Sequence, residues 1–219
     1  MLTPEFHADR RRRLIEAVGG PVLLVGNGRR TRNLPMSDLP FRQDSSFLYF
    51  TGCHTPGAAC LLGSAGACLF LPEPAEDDAL WHGSVPSLGE QAGELGFDTV
   101  YPVSRLDELC SGESGLVALA ASDPASTARA SRITGESLSF GDRNGHPDLV
   151  EAVIRMRRLR STEELDQMRA AAVVTERAHR AAMSVTHPGH HERQVTAAFH
   201  AVIEAAGLCT AYPSIVTVR

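Results

Sequence analysis

Short apolar runs alternate with helical patterns over the first 155 residues, and this alternation constrains the fold more than any other feature. Two of the runs, Ala58–Leu62 and Ala67–Leu71, flank a Gly-Ser-Ala-Gly segment that predicts a β-hairpin. Further strands are predicted at Pro21–Val25, Phe47–Phe50, Thr99–Val103 and Leu116–Ala120. Helices are predicted from Pro4, behind a Thr3 cap, to Gly19, at Leu88–Leu95 and at Arg105–Cys110. Strands mixed with short helices predict an α/β domain over residues 1–155.

After Arg155 the pattern is helical only. Ser161 and Glu164 form a capping-box sequence, and apolar residues follow it at helical spacing as far as Pro188. A second amphipathic helix is predicted to end at Gly207. Ile215–Val218 then has the β-branched pattern of a new strand. We therefore expect residues 156–219 to be the incomplete start of a second domain, interrupted at Arg219.

Composition excludes several classes of function. The 219-residue chain contains no lysine, so it lacks the side-chain amine of Schiff-base enzymes and of phosphate-binding loops. A net charge of −5 argues against nucleic-acid binding, and no apolar run is long enough for a membrane span. The one basic cluster, Arg10–Arg13, is interpreted as a solvated face of the first helix.

The cysteines indicate a reducing compartment. Their number is odd, and no Cys-x-x-Cys spacing occurs among Cys53, Cys60, Cys68, Cys110 and Cys209. Such a set is typical of small buried thiols in a cytosolic protein, not of a disulfide or zinc framework. We therefore expect a cytoplasmic location.

Several motifs that could carry chemistry are incomplete. The Gly-Asn-Gly turn at residues 26–28 lacks the third glycine of a dinucleotide site and is interpreted as a loop. The histidines of the interhelical loop are interpreted as surface residues because no carboxylate-rich surroundings accompany them; they are His187, His190 and His191. No serine-hydrolase elbow occurs. The residues alone assemble no catalytic constellation.

Two further features leave alternatives open. Asp38 and Arg42 form either a surface ion pair of little energetic value or a pair held in a cleft, where a guanidinium orients a carboxylate or peptide group. Trp81, the only tryptophan, is either packed on the domain surface or a platform for a ligand or a neighbouring subunit.

Two separated stretches resemble the aminopeptidase P and prolidase family of metallopeptidases. The first is Phe41–Gly52, with Trp-His-Gly at residues 81–83 downstream. The second is Leu159–Val216, which joins the capped helix pair to Tyr-Pro-Ser-Ile-Val. The resemblance implies an N-terminal α/β domain of the creatinase and aminopeptidase P type, a mixed sheet flanked by helices. It also implies that the first helix pair of a truncated pita-bread domain follows.

The resemblance also implies an activity. Family members remove an N-terminal residue that precedes proline, or split Xaa-Pro dipeptides, and they act as dimers or tetramers. They use two divalent metals, commonly manganese, held by two Asp, one His and two Glu. All five ligands are expected beyond the Tyr-Pro-Ser-Ile-Val strand, so we expect this chain to hold no metal ligand or catalytic residue and to be inactive by itself.

The same resemblance assigns substrate-binding positions. It implies that Trp81 assists the active site of a neighbouring subunit, and that Asp38 and Tyr212 belong to a polar network near that site. The chain would then shape the active-site entrance for a proline-containing peptide and contribute subunit contacts. Two alternatives share the fold without the metals: a non-catalytic module that binds peptides or proteins, and a creatinase-type amidinohydrolase.

Overall fold

The computed structural model describes residues 2–34, 37–74, 80, 83–142 and 144–217. It contains two compact units, one comprising Leu2–Leu159 and the other beginning at Arg160. None of the described helices is both long and apolar enough to cross a membrane. The domain limits drawn from the sequence, at residues 155 and 156, stay a prediction.

The strands of the first unit are β1 (Val22–Val25), β2 (Ala59–Gly63), β3 (Gly66–Leu71), β4 (Thr99–Pro102) and β5 (Val117–Ala118). They form one mixed sheet in the order β4-β3-β2-β1-β5. The pairs β1–β2 and β2–β3 are antiparallel, whereas β3–β4 and β1–β5 are parallel. The predicted hairpin is confirmed, with Gly63 opposite Gly66.

Helices flank this sheet on both faces, as predicted. They are α1 (Pro4–Val18), α2 (Ser45–Thr51), α3 (Leu88–Glu94), α4 (Leu106–Cys110), α5 (Pro124–Thr134) and α6 (Pro147–Arg158). The central strand β1 is apolar throughout because it is buried on both sides. Val22 and Leu24 join one hydrophobic cluster with residues of α1, α2 and α6, whereas Leu23 and Val25 join a second cluster with residues of α4 and α5.

Two arginines of the run in α1 are buried and two are exposed, so the interpretation of this run as a wholly solvated face is wrong. Arg10 and Arg11 are only 4% and 3% exposed. The guanidinium carbon of Arg10 lies 4.0 Å from the Phe6 ring centre and 3.6 Å from that of Tyr49. Both side chains point towards α2. Arg10 donates to Tyr49 O and Arg11 to Phe50 O, near the C-terminal end of that helix, and aromatic rings pack against their guanidinium groups. Charge alone does not reveal such a neighbour.

The stretch Phe47–Phe50 is helical, and its prediction as a strand is wrong. Asp44 caps α2, since its Oδ1 accepts from the amides of Ser46 and Phe47, both at 2.9 Å. Gly52 ends the helix with a left-handed φ of 67°. The buried side chains Phe47 and Phe50 lie three residues apart, which fits one face of a helix and not one face of a strand.

Two helices of the first unit, α5 and α6, are absent from the predicted elements. Each begins with a proline at its first position, and Asp123 caps α5 by accepting from Ser126 N at 3.0 Å. Start signals were therefore present in the sequence. The other predicted elements of this unit are confirmed, with β5 shorter than the predicted run Leu116–Ala120.

The second unit contains α7 (Thr162–Ser184) and α8 (Glu192–Ala205). The predicted capping box is confirmed, with the Ser161 hydroxyl accepting from Glu164 N at 3.3 Å and the Glu164 carboxylate accepting from Ser161 N at 3.0 Å. The helices pack together, and the rings of His179 and Phe199 lie 5.0 Å apart, edge to face. Of the predicted strand Ile215–Val218, the described residues 215–217 are not in a strand, and Val218 lies outside the described residues.

Candidate functional site

The carboxyl ends of β1 and β5 lie side by side, and the loops that leave them meet there. In open α/β sheets this edge is where ligands usually bind. Gly26, the first residue after β1, donates from its amide to Ala58 O at 2.9 Å. A Cβ at this position would lie 2.9 Å from both Ala58 O and Gln43 Oε1, so only glycine fits the close approach.

Gln43 fixes the base of the loop after β1. It is 4% exposed, and its Oε1 accepts from the amides of Asn27 at 2.7 Å and Asp44 at 2.8 Å. Its Nε2 donates to Thr55 O at 3.0 Å. The buried side-chain amide of Gln43 therefore joins three chain segments. An apolar side chain at position 43 would form none of these hydrogen bonds.

Asn27 connects the loop after β1 to the loop after β5. Its Nδ2 donates to Arg42 O and to Ser122 Oγ, both at 2.9 Å. Its Oδ1 accepts from the amide of Asp123 at 3.1 Å. The Gly-Asn-Gly segment, interpreted as a plain loop, is thus a hydrogen-bonded junction between the two parallel strands.

Asp123 is the carboxylate of this junction. Burial acts to raise its pKa, but hydrogen bonds from the hydroxyl and amide of Ser126 outweigh it, so that the pKa lies below its usual value. Its Oδ2 accepts from Ser126 Oγ at 2.7 Å. The group therefore serves as an ionised helix cap.

Residues 29–34 and 37–39, which we call the excursion, follow the junction along the chain and include Asp38. The two arms of the excursion pair through Arg32 N to Ser37 O at 2.9 Å and Leu39 N to Arg30 O at 2.8 Å. At the base of the excursion Arg29 Nη1 donates to Asp38 Oδ2 at 3.2 Å. This partner is one that the sequence reasoning did not name. The pair is largely exposed, so it orients Asp38 without contributing much to stability.

The other predicted substrate-binding residues are placed as follows. Tyr212 is 74% exposed, in the irregular segment after α8. In the same segment, Ser214 Oγ lies 2.9 Å from His200 Nε2 on α8. Trp81 lies outside the described residues. The roles assigned to Asp38, Trp81 and Tyr212 stay predictions.

The described residues do not offer the donor set of a two-metal centre. Among them, no group of three or more His, Cys, Asp or Glu side chains is arranged to hold a metal ion. The histidine rings of the interhelical loop are exposed, with His187 and His190 centred 5.6 Å apart and His190 Nδ1 donating to Val185 O. No catalytic step is therefore assigned to these residues.

Sequence reasoning missed Gln43 and Asn27 as the organising residues of this edge. A buried glutamine has no local spacing that identifies it, because two of its three partners, Asn27 and Thr55, come from other segments of the chain. Asp123 could have been found, since an Asp followed by Pro is a helix-start sequence.

Comparison with known proteins gives two family matches, one after the other along the chain. Residues 7–115 match the family described as aminopeptidase P, N-terminal domain. Residues 166–219 match metallopeptidase family M24.

Individual proteins and solved structures are also similar to this chain. A probable Xaa-Pro aminopeptidase of Penicillium rubens is 29% identical over 188 residues, which is 82% of this chain and 39% of that protein. An intermediate cleaving peptidase of Arabidopsis thaliana, named as mitochondrial, is 32% identical over 111 residues, 49% of this chain and 22% of that protein. The structure of Pseudomonas aeruginosa aminopeptidase PepP superposes with a TM-score of 0.78 at 23% identity, over 94% of this chain and 50% of that one. This chain therefore spans half or less of the length of each.

Proposed function

Because the chain belongs to the aminopeptidase P-like family and matches the N-terminal portion of that family, we propose that it is the N-terminal part of a metal-dependent exopeptidase. The intact enzyme would cleave Xaa-Pro bonds at peptide N-termini or in dipeptides. The observation that carries this proposal is the order of the two family matches, an aminopeptidase P N-terminal domain followed by the start of an M24 metallopeptidase region.

In this proposal the segment shapes the entrance to the active site and contributes subunit contacts. Asp38, Tyr212 and Trp81 act as substrate-binding residues. The excursion supports this role for Asp38, because Gln43 and Asn27 hold its base and Arg29 orients its carboxylate. The intact protein is proposed to be a cytoplasmic homo-oligomer, a dimer or tetramer, with two divalent metal ions, Mn²⁺ in the first instance.

The described residues provide no metal centre, so we propose that the 219-residue chain by itself is inactive. The catalytic test compares it with the full product of its gene. Both are incubated with an Xaa-Pro dipeptide and with a longer peptide that has proline in second position, with and without added Mn²⁺. A peptide with alanine in place of proline serves as the control.

We expect metal-dependent release of the first residue by the full product, and no hydrolysis by the 219-residue chain. If the full product is silent towards every peptide at all metal concentrations, the peptidase proposal fails and a binding module is favoured. Hydrolysis that survives complete removal of metal would instead point to the metal-free class of this fold.

The entrance role has its own test in the active full product. Asp38→Asn should lower kcat/KM for the longer peptide by about tenfold, which corresponds to the loss of one charge-assisted contact. Asp98→Asn removes the same charge from another exposed aspartate of the first unit and should leave kcat/KM unchanged. Equal effects of the two variants would refute the role of Asp38.

A further inference from the structure

Three adjoining depressions form one groove at the carboxyl edge of β1 and β5. Their volumes are about 250, 400 and 290 Å³. The first two share Asn27, Arg42 and Ser122, and the last two share residues that include Phe140 and Arg157. We call this the edge groove; its walls include Arg42, Ser46, Ser122, Phe140, Ile154 and Arg157.

Most polar side chains of the edge groove are already used within the protein. The amide groups of Gln43 and Asn27 hold the loop junction. The Oδ1 of Asp44 accepts two backbone amides at the start of α2. These groups therefore have little hydrogen-bonding capacity left for a ligand.

The guanidinium group of Arg157 differs from these. Arg157 is half-buried, and its Nη1 donates to Ser46 Oγ at 2.9 Å. Within the described part of the chain, no carboxylate lies within ion-pair distance of Arg157. Arginine has five N–H donors in a planar fork, so most of them stay available on the groove wall. Arg42 lines the same middle depression and adds a second positive charge.

An apolar wall continues from Arg157. Phe140 is 61% exposed and Ile154 is 53% exposed, both on the groove. Val150, Val153 and Leu119 line the same part. Exposed aromatic and aliphatic side chains next to a guanidinium that forms no ion pair with a described carboxylate favour an anion that carries an apolar body. An inorganic anion has no apolar part, so it would leave these apolar side chains exposed to water.

From this arrangement we propose that the edge groove binds the C-terminal carboxylate and last apolar residues of a short peptide. The carboxylate pairs with Arg157, where a guanidinium fork matches its two oxygens. The apolar residues lie against Phe140 and Ile154. The proposal uses only residues of the first unit, so it stands or falls independently of the peptidase function.

The test titrates the 219-residue chain, uniformly labelled with ¹⁵N, with the tripeptide Ala-Pro-Leu as the free acid and as the C-terminal amide. We expect the free acid to bind at least about tenfold more tightly, since one charge-assisted bidentate contact is lost in the amide. The amide resonances of Phe140, Ile154 and Arg157 should shift together with one dissociation constant.

Variants then assign the contacts. Arg157→Met should weaken binding of the free acid about tenfold and remove most of the difference between acid and amide. Arg158→Met removes the same charge from the next, exposed position of α6 and should change neither. Ile154→Ala shortens an exposed side chain and should weaken tripeptide binding severalfold, which keeps the proposal testable if Arg157→Met does not fold.

Three results would overturn the proposal. One is equal affinity for acid and amide, or no binding of either. Another is an equal loss in Arg157→Met and Arg158→Met, which would show attraction to net charge only. The third is binding of inorganic phosphate as tightly as the tripeptide together with no effect of Ile154→Ala, which would leave an anion site without peptide recognition.

Discussion

Arg11, on the first helix, donates from Nη1 to the carbonyl oxygen of Phe50 at 3.1 Å. The same guanidinium donates from Nη2 to Gly96 O at 3.0 Å, and its carbon lies 3.9 Å from the centre of the Phe97 ring. One buried side chain thus joins α1, the C-terminal end of α2 and the turn after α3. It stabilises α2, on which the capping residue Asp44 and the groove residue Ser46 depend for their positions.

Replacing Arg11 by Met should therefore destabilise the first unit. The buried carbonyl of Phe50 and the partly buried carbonyl of Gly96 would lose their donor, at a cost of about 2–4 kcal/mol in the free energy of unfolding. Urea unfolding followed by circular dichroism measures the change. Arg13→Met is the matched control, because Arg13 is exposed on the same helix and its Nη1 forms a long ion pair of 3.8 Å with Asp9 Oδ2. This variant should change the free energy of unfolding by less than about 0.5 kcal/mol. Similar losses in both variants would contradict the assigned contacts.

Two glycines should respond in opposite directions to alanine. Gly52 has φ of +67°, and an added Cβ would lie 2.9 Å from His7 Nε2, so Gly52→Ala should cost about 1–3 kcal/mol. Gly89 lies within α3, and an added Cβ would have no atom within 4 Å, so Gly89→Ala should add about 0.5–1 kcal/mol. The measurement is the thermal unfolding temperature of each variant relative to the wild type, which should fall for Gly52→Ala and rise for Gly89→Ala. Equal signs would show that backbone conformation is not the controlling factor.

Gln43→Leu should loosen the loop junction. The variant loses the bonds to Asn27, Asp44 and Thr55, and we expect destabilisation by about 2–3 kcal/mol. Amide exchange at residues 27 and 44 should accelerate more than exchange within β2 and β3. Gln91→Leu is the control, because Gln91 makes one exposed bond to Pro86 O. Unchanged exchange at the junction would disprove this role for Gln43.

The stability of the first unit should fall as pH decreases below neutrality, partly because of His7. Burial lowers the pKa of His7 in the folded state, opposed by its bond to Tyr49 O and assisted by Arg10 and Arg11. The unfolded chain therefore binds a proton near pH 6.5, where the folded chain does not, so this contribution to stability is complete above that pH and declines below it.

The comparison for His7 is between variants. His7→Gln should flatten the decline in unfolding free energy between pH 7.5 and about 5.5, relative to the wild type. His54→Gln, which removes a histidine from an exposed position, is the control variant. A wild-type slope in His7→Gln would mean that other groups cause the decline.

Only one cysteine should react rapidly with a thiol reagent in the native protein. Cys209 is exposed, whereas the four other thiols are buried. Burial raises the pKa of Cys60 to about 12 and that of Cys110 to about 11, so both are protonated at pH 8. The absorbance of the released chromophore should report one reactive cysteine in the native protein and five in denaturant. A second fast thiol would contradict the burial of this set.

Much of the architecture followed from local patterns. The cap and glycine stop of α1, the hairpin of β2 and β3, and the Ser161–Glu164 capping box all depend on residues close together in sequence. The prediction failed at Phe47–Phe50, where an aromatic run has strong strand propensity but the Asp44 cap and Gly52 stop set a helix. Local propensity is a weak preference there, and burial of Phe47 and Phe50 on one side decides between the alternatives.

By itself, the sequence determined the class of the fold, the positions of the hairpin and capped helices, and the resemblance that the family matches later confirmed. Only the tertiary structure decided which polar side chains act together. Gln43, Asn27 and Ser122 are brought together at one sheet edge, and Arg157 meets Ser46 across 111 positions of chain. The reason is physical: hydrogen-bond partners of buried and half-buried polar groups are chosen by the folding of distant segments, and no local spacing records that choice.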